Sequence, residues 1–492
     1  MSLTPTQLSV PPKSRFRATT VAVLATVAFG TLFALTTASE FLADANTTTV
    51  ILAALIFFAL MVFAAAYGRA SSQPAKWLVF VVWWGLLVSE EVFSYRSDIA
   101  GGGSFATGAY DQAVLWIVAL LGLLIILLKY PQSLTGLFHG DYKWVTWITL
   151  VSIASCAYSP NPAFSFAWAF KLALVVLVVH ICSQQISGMD DLRDFLKITV
   201  CGFFILVLAP TLRSIFEPDP LGTYGSGALE QRFREAPTAI SGIAGLLAIL
   251  CLMLYSPGKR RWPLWIGGIA LIIMVVAGGK TGIIAGIFAG ILFYGLQKRF
   301  KAVLIFAAVA AIMLTLALKY TPLADYMANY SELQAGATLT GRTDLWSFVT
   351  PYILEKPIIG YGFNASRFVA VAHPDTPFAS PHMHNSLIEA LYNNGIIGLF
   401  LILMVQFVIV RNLWRTIGVA ATPELRYLAV GCLAAFVNLF INGMFNATFG
   451  GRPDASYMTL IALVVVSMRL VQLSKPGPAF AASESRSFAA YR

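Results

Sequence analysis

The residues best suited to chemistry in this chain stand together at the start of a long apolar segment. His382 and His384 precede that segment, and Asn385, Glu389 and Asn393 recur at four-residue intervals, which places the last three on one face of a helix. Histidine can take up a proton near neutral pH. A carboxylate and two amides are costly in lipid, so this face is predicted to look into a helix bundle or a wet cavity. Hydrogen bonds between helices would explain the two asparagines equally well, and Glu389 less well.

The composition excludes a soluble protein. The chain has 492 residues, of which 58% are hydrophobic and 11% charged, and its mean hydropathy is +0.76. Continuous apolar runs predict an all-α polytopic membrane protein with about 12–14 transmembrane helices. The net charge of +10 does not indicate nucleic acid, because the Lys and Arg residues stand mostly in short loops between spans. The five cysteines lie in or beside apolar runs, so no disulfide framework and no cysteine metal site is expected.

The alternation of basic loops predicts the topology, with both termini in the cytoplasm. The first apolar run lacks a small-residue cleavage site, so no cleavable signal peptide is expected. The predicted parts are a cytoplasmic tail, an N-terminal transmembrane bundle, a second transmembrane region and a disordered cytoplasmic tail, at residues 1–17, 18–212, 213–472 and 473–492. The second region carries two external loops, 213–237 and 319–384, and the larger one lies between spans near 302–318 and 386–410.

Two short apolar runs near 262–278 and 281–297 predict a hairpin with Lys280 at its tip. Glycines surround Lys280, so a ligand could approach the backbone closely there. A lysine at the membrane surface that extends its charge into the headgroups is an equally good interpretation. Glycines at 282, 286 and 290 predict a face for close helix packing.

Several cations fall on or near the external side, against the usual bias of positive charge toward the cytoplasm. Guanidinium groups bind phosphate with two parallel hydrogen bonds, and a lipid-linked diphosphate is the natural anion at a membrane surface. Ion pairs with neighbouring carboxylates explain Arg234 and Arg367 better when each is taken singly, but the set as a whole favours an anion site. The set consists of Arg213, Arg232, Arg234, Lys280, Arg342, Arg367, His382 and His384.

A zinc site built from His382 and His384 with His373 and Asp375 is the main metal alternative. Their spacing matches no strong zinc signature, so a catalytic base is the preferred interpretation and no metal is expected. A further stripe of asparagines at 438, 442 and 446 predicts either helix packing or contact with sugar hydroxyls.

The order of the motifs in the second half resembles the O-antigen ligase and polymerase superfamily, over roughly residues 230–450. That family also includes exopolysaccharide polymerases and protein O-oligosaccharyltransferases. The resemblance is carried by Gly341-Arg342-Thr343-x-x-Trp346, Pro357-x-x-Gly360-Tyr361-Gly362-Phe363, His384-Asn385-Ser386-x-x-Glu389 and Asn394-Gly395-x-x-Gly398.

The resemblance implies a glycosyltransferase that needs no metal or cofactor. Its donor would be an undecaprenyl-diphosphate-linked glycan, presented among membrane lipids on the periplasmic side of the bacterial inner membrane. Its acceptor would be a hydroxyl of lipid A core or of a growing polysaccharide. The motifs do not separate a ligase, which uses the first acceptor, from a polymerase, which uses the second.

The resemblance also assigns roles to single residues. His384 corresponds to the family's loop histidine, the base that activates the acceptor hydroxyl. Arg232 and Arg342 look like the family's arginines, and Arg213 is a further candidate. The segment around Lys280 departs from the family's Ser/Arg cluster, and Thr238 stands where the family has Asn.

The residues around the histidine receive supporting roles only, at His382, Asn385 and Glu389. Glu389 comes five residues after His384, about 500° around a helix, so it is not expected to orient the imidazole.

A transporter or flippase for a lipid-linked or anionic substrate is the alternative function. It predicts charges at mid-membrane depth on several spans, and internal symmetry. Here the polar residues cluster toward one face instead. A non-catalytic membrane scaffold is a third possibility, which the ordered His and Arg motifs argue against.

Overall fold

The computed structural model of this protein describes a helical bundle. The described residues are 74–93, 119–120, 122–124, 134, 136–216, 237–255, 261–277, 279–320, 342–369 and 382–474. Within these ranges the α-helices with defined bounds are α1 (Pro74–Phe93), α2 (Lys143–Ser155), α3 (Pro162–Gln185), α4 (Met189–Phe216), α5 (Pro237–Leu254), α6 (Trp262–Ala277), α7 (Lys280–Leu296), α8 (Phe300–Tyr320), α9 (Arg342–Glu355), α10 (Ser386–Val419), α11 (Pro423–Phe445) and α12 (Ala455–Leu473). Short 3₁₀ turns lie at Cys156–Tyr158 and Ala365–Phe368.

The prediction of an all-α polytopic membrane protein is confirmed. Among the described residues, five helices are long and apolar enough to cross a membrane, at Pro162–Gln185, Met189–Leu212, Ser386–Val419, Pro423–Phe445 and Ala455–Ser474. Shorter apolar helices include α6 and α7, which form the predicted hairpin on either side of Gly279. The N-terminal tail and the spans predicted before residue 74 lie outside the described residues, so the total of about 12–14 spans stays a prediction.

Polar contacts join helices that are far apart in the sequence. Lys76 of α1 pairs with Asp191 of α4, with 2.5 Å between Nζ and Oδ1. Trp83 of α1 donates a hydrogen bond from Nε1 to Thr199 of α4, at 3.0 Å. The predicted N-terminal bundle also contacts the second region, because α4 packs against α5 and α3 packs against α12.

Two helices extend past the boundaries that the sequence predicted. The span near 386–410 belongs to a helix that continues to Val419, so Arg411 and Arg415 lie within α10. Hydrophobic residues such as Val408 and Leu413 keep the helix buried past the first arginine, and Arg411 pairs with Asp141 at 2.6 Å. Helix α4 extends to Phe216, so Arg213 lies in its last turn and not in the loop 213–237.

The glycines of α7 pack closely against neighbouring helices, as their spacing predicted. A Cβ atom on Gly282 would come within 2.5 Å of the backbone of Ser241 in α5. A Cβ on Gly286 would lie 2.8 Å from the sulfur of Met274 in α6, and Gly290 faces the ring of Phe306 in α8. The hydroxyl of Ser241 is shared between the carbonyl oxygens of Met274 and Gly279, at 3.0 and 3.1 Å. This contact fixes the hairpin against α5.

Gly282→Ala is expected to destabilise the protein by about 1–3 kcal/mol, because the backbone of α5 must move to admit the methyl group. Thermal unfolding of the purified protein in detergent measures the effect. Gly268→Ala on α6 is the control, since a Cβ atom there would meet nothing within 4 Å. Equal melting temperatures for the two variants would contradict the close approach of α5 and α7.

Candidate active site

Helix α10 begins at a cap formed by Asn385. The side-chain oxygen of Asn385 accepts hydrogen bonds from the backbone N–H groups of Leu387 and Ile388, at 2.9 and 3.1 Å. Its amide donates to the carbonyl of Met444 at the end of α11, at 3.1 Å. Asparagine is a favoured N-cap because its oxygen satisfies N–H groups that the first turn leaves without partners. Asn385 therefore fixes both the start of α10 and its position against α11.

The same helix is interrupted one-quarter of the way along, at Gly395. This residue has φ 62° and ψ −161°, which is not helical. The N–H groups after the break bond to a distant loop, Ile396 to the carbonyl of Pro357 at 2.8 Å and Ile397 to that of Ile358 at 3.4 Å. Unwound backbone is tolerated at membrane depth only where protein buries it, and here the loop supplies the partners.

The carbonyl groups before the break bond to the same loop. Tyr392 and Asn393 accept hydrogen bonds from the N–H groups of Tyr361 and Gly362, at 2.9 and 2.8 Å. The two tyrosine rings stack with their centres 4.8 Å apart. Gly360 has φ 67°, and a Cβ atom there would lie 2.5 Å from the carbonyl oxygen of Tyr392. The loop 357–362 thus takes over the hydrogen bonds that the broken helix loses.

The break divides α10 into two unequal parts. The part from Ile396 to Val419 is about 36 Å long at 1.5 Å per residue, which is enough to cross the hydrocarbon layer. The part before the break, Ser386–Asn394, therefore need not lie in lipid. The expectation that the face of Asn385, Glu389 and Asn393 lies within a span and looks into the bundle or a wet cavity stays a prediction.

Glu389 is buried, with 2% of its surface exposed, and it bonds to two loop segments. One carboxylate oxygen accepts a hydrogen bond from the N–H of Met383 at 2.7 Å, and the other accepts one from the hydroxyl of Ser366. Asn393 accepts a hydrogen bond from the N–H of Ser366 at 2.8 Å and donates one to the carbonyl of Gly450 at 3.1 Å. The polar face of α10 therefore holds loops in place.

His384 occupies the left-handed region of the backbone, with φ 49°. The imidazole ring of His384 contacts that of His382 edge to face, with the ring centres 4.0 Å apart. The backbone N–H of His384 donates a hydrogen bond to the Nδ1 of His382 at 3.3 Å. Its own Nδ1 is buried and has no hydrogen-bond partner among the described residues. Burial, and after it the charge of Arg342, lowers the pKa of His384 from 6.5 to about 4. A neutral imidazole is the form that can accept a proton.

Arg342 is the first residue of α9 and is half-buried. Its charge lowers the pKa of His384, although the two residues are far apart in the sequence. The indole of Trp346, one turn further along α9, donates a hydrogen bond to the carbonyl of Met383 at 2.8 Å. The helix that carries Arg342 is therefore bonded to the residue directly before His384.

Residues 267–403, called the O-antigen ligase region below, match the family model described as O-antigen ligase. The match contains Arg342, His384 and Gly395, so the resemblance that the motifs predicted is confirmed. The matched segment is shorter than the predicted one, which ran from about residue 230 to about residue 450.

Three proteins are similar to parts of this chain. A protein of Rickettsia conorii, provisionally named a polysaccharide ligase, is 25% identical over 42% of this chain and 51% of its own length. A Rickettsia felis protein with the same provisional name is 26% identical over the same shares. The exopolysaccharide production protein ExoQ of Rhizobium meliloti is 25% identical over 65% of this chain and 76% of its own length. The chain thus spans about half the length of the Rickettsia relatives it matches.

The described contacts bring five of the eight predicted site residues together, and the functional roles of all eight stay predictions. The five are His384, Arg342, His382, Asn385 and Glu389. Lys280 is exposed at the first residue of α7. Arg213 lies in α4 but its side chain is not described, and Arg232 lies outside the described residues.

The zinc alternative has only two of its four ligands in the described part of the chain, since His373 and Asp375 lie outside it. Among the residues that the structure describes, no three His, Cys, Asp or Glu side chains are grouped as metal ligands. Two of the three asparagines in the predicted stripe take part in helix packing. Asn438 and Asn442 face Gly245 and Gly242 of α5, and Asn442 donates to the carbonyl of Asn438 at 3.1 Å.

A second polar cluster near the O-antigen ligase region was not predicted. Lys171 of α3 is fully buried, with its Nζ 5.2 Å from the ring centre of Trp168. The guanidinium of Arg452 lies 4.4 Å from the same ring. Asp454 caps α12 by accepting from Tyr457 at 2.9 Å, and burial raises its pKa to about 6 although both cations oppose this. A lysine inside an apolar span was the sequence signal for this cluster.

Proposed function

We propose that this protein is a glycosyltransferase of surface polysaccharide biosynthesis. It transfers a glycan from an undecaprenyl-diphosphate-linked donor to an acceptor hydroxyl, at the periplasmic face of the bacterial inner membrane. The observation that carries the proposal is the half-buried His384 at the start of a helix broken at Gly395, where burial and the charge of Arg342 lower the pKa of the imidazole. The match to O-antigen ligases and the names of the relatives support the same class of reaction.

The proposed reaction is a direct displacement at the anomeric carbon. His384 accepts the proton of the acceptor hydroxyl while the oxygen attacks that carbon. The bond from the anomeric carbon to the diphosphate oxygen breaks, and the lipid diphosphate leaves with the electron pair. The arginine cation stabilises the negative charge that develops on the leaving oxygen. Attack from the side opposite the leaving group inverts the anomeric configuration.

The donor's diphosphate carries more charge than one arginine neutralises, so further cations are required. Arg232, Arg213 and Lys280 are the proposed additional contacts, and together they replace a metal ion. The proposed acceptor is lipid A core for a ligase, or a growing polysaccharide for a polymerase. His382 and Asn385 support His384, the first through its ring nitrogen and the second through the cap of α10.

The proposal predicts an unusually acidic limit for activity. His384 with a pKa of about 4 stays neutral from neutral pH down to about pH 5, so kcat/KM is expected to fall only near pH 4. Arg342→Gln removes one of the two causes of the lowered pKa. Its acid limb is therefore expected at higher pH, and its KM for the donor is expected to rise because a phosphate contact is lost. Initial rates of transfer across this pH range measure both effects.

Arg415→Gln is the matched control, because this exposed arginine lies near the far end of α10. It is expected to leave the acid limb and the KM unchanged. An acid limb near pH 6.5 that Arg342→Gln does not move would contradict the pairing of Arg342 with His384.

A transporter of an anionic substrate keeps one supporting observation, the buried Lys171 within α3. Glycan analysis of a strain lacking the gene separates the two functions. Long lipid-linked chains with bare lipid A core would indicate a ligase, and single lipid-linked repeats without polymer would indicate a polymerase. Unchanged pools of lipid-linked intermediates, lipopolysaccharide and secreted polymer, in a strain without a paralogue, would contradict the glycosyltransferase and favour the transporter.

A further inference from the structure

The backbone on both sides of Met383 is fixed by side chains from two different helices. The N–H of Met383 donates to Glu389 of α10 at 2.7 Å, and its carbonyl accepts from the indole of Trp346 of α9 at 2.8 Å. The side chain of Met383 is buried, with 1% of its surface exposed, in a small apolar cluster with Leu345 and Tyr392. Hydrogen bonds therefore hold both backbone polar groups of Met383, the residue before His384.

His384 needs this support because its backbone conformation is unfavourable. A non-glycine residue at positive φ costs about 1–2 kcal/mol and persists only where its surroundings enforce it. On its other side, Asn385 is held by the cap of α10 and by the carbonyl of Met444. The left-handed turn at His384 is thus enforced from before and after.

Glu389 is in turn held by a second layer of hydrogen bonds. Ser366 donates its hydroxyl to the carboxylate, and its N–H donates to Asn393, one helical turn after Glu389. The carboxylate is therefore fixed by the 3₁₀ turn Ala365–Phe368, and it holds Met383 from a defined position.

Trp346 also affects the distance between Arg342 and His384. It lies four residues after Arg342 on α9, so both side chains project from one face of the same helix. The hydrogen bond from Trp346 to Met383 therefore sets how far the α9 cation lies from the His384 imidazole. An error of about 1 Å in such a distance can lower a rate by about 100-fold.

We propose that Trp346 and Glu389 are positioning residues, which hold the two sides of Met383 and thereby keep His384 in its left-handed turn beside Arg342. This inference rests on the proposed function only for its effect on glycan transfer. Neither side chain takes part in bond making or breaking.

Trp346→Phe tests the inference because it keeps an aromatic ring and removes only the N–H donor. It is expected to lower kcat by about 10- to 100-fold with less change in KM, and to shift the acid limb of the rate profile to higher pH. Trp414→Phe is the matched control, since Trp414 is an exposed residue of α10. Glu389→Ala is expected to resemble Trp346→Phe, whereas Glu389→Gln keeps an oxygen that can accept from Met383 and should retain most of the activity.

A chemical readout separates this inference from the proposed function. Diethylpyrocarbonate modifies neutral imidazole, and peptide mass spectrometry gives the rate at His384 alone as pH is varied, whether or not glycan is transferred. The wild type is expected to show a midpoint near pH 4, and Trp346→Phe a higher one. A higher midpoint supports the inference even if the protein transfers no glycan. Wild-type kcat and an unchanged midpoint in folded Trp346→Phe would overturn it.

Discussion

Replacing His384 with alanine is expected to lower the rate of glycan transfer by about 100- to 10,000-fold, the range by which a positioned general base accelerates such reactions. The acceptor hydroxyl is a weak nucleophile, and no other described imidazole than that of His382 contacts this position. Expression and thermal stability should stay close to wild type, because the imidazole Nδ1 has no hydrogen-bond partner among the described residues. Consumption of lipid-linked glycan by the purified variant measures the loss.

His139→Ala is the control for this experiment, because His139 is exposed in the loop before α2. It is expected to keep wild-type turnover. A His384→Ala variant that keeps more than about one-third of the wild-type rate would remove the base assignment, whatever the behaviour of the arginines.

Gly395→Ala is expected to be the most destabilising single change in the O-antigen ligase region. At φ 62° and ψ −161° an alanine is strained, and its Cβ atom would overlap the carbonyl of Ile358. Relief of this overlap must separate the loop 357–362 from the break, so both sets of backbone hydrogen bonds are lost. We expect a cost of about 3 kcal/mol or more, measured as a lower melting temperature and a lower yield of folded protein.

Gly418→Ala is a matched control on the same helix. Gly418 is exposed near the end of α10, and a Cβ atom there would meet nothing within 4 Å. Alanine is the better helix former, so this variant is expected to be as stable as the wild type or slightly more stable. Equal stability of the two alanine variants would show that the break at Gly395 is not required.

The sequence predicted the membrane class, the α6–α7 hairpin and the region that matches O-antigen ligases. The Asn394-Gly395 step is a recognisable break signal, but the apolar run resumes directly after it, so the sequence favoured one continuous helix. The groups that satisfy the break come from Pro357–Gly362, and such a pairing of distant backbone segments leaves no local pattern. The glycines at 360, 362 and 395 belong to the sequence motifs. What they do becomes clear only from the contact between the loop 357–362 and the break at Gly395.

The supporting residues show a similar limit. Helical geometry gave no reason to assume a bond between Glu389 and His384, since the two are five residues apart. It missed the contact with Met383, because the chain before Asn385 leaves the helix and folds back over the first turn of α10. Lys171 is a recognisable signal, because a lysine inside an apolar span is unusual. The groups that act on it, Arg452 and Asp454, come from a segment far along the chain.

The most direct test of the proposed function is glycan transfer by the purified protein in lipid vesicles. The vesicles contain an undecaprenyl-diphosphate-linked glycan, with lipid A core or a second lipid-linked glycan as acceptor, and a strong chelator is present. The proposal predicts transfer to one of the two acceptors, undiminished by the chelator, with the anomeric configuration of the new linkage inverted as read by NMR. No transfer to either acceptor, retention of configuration, or loss of activity with the chelator would contradict a metal-independent displacement in which His384 is the base.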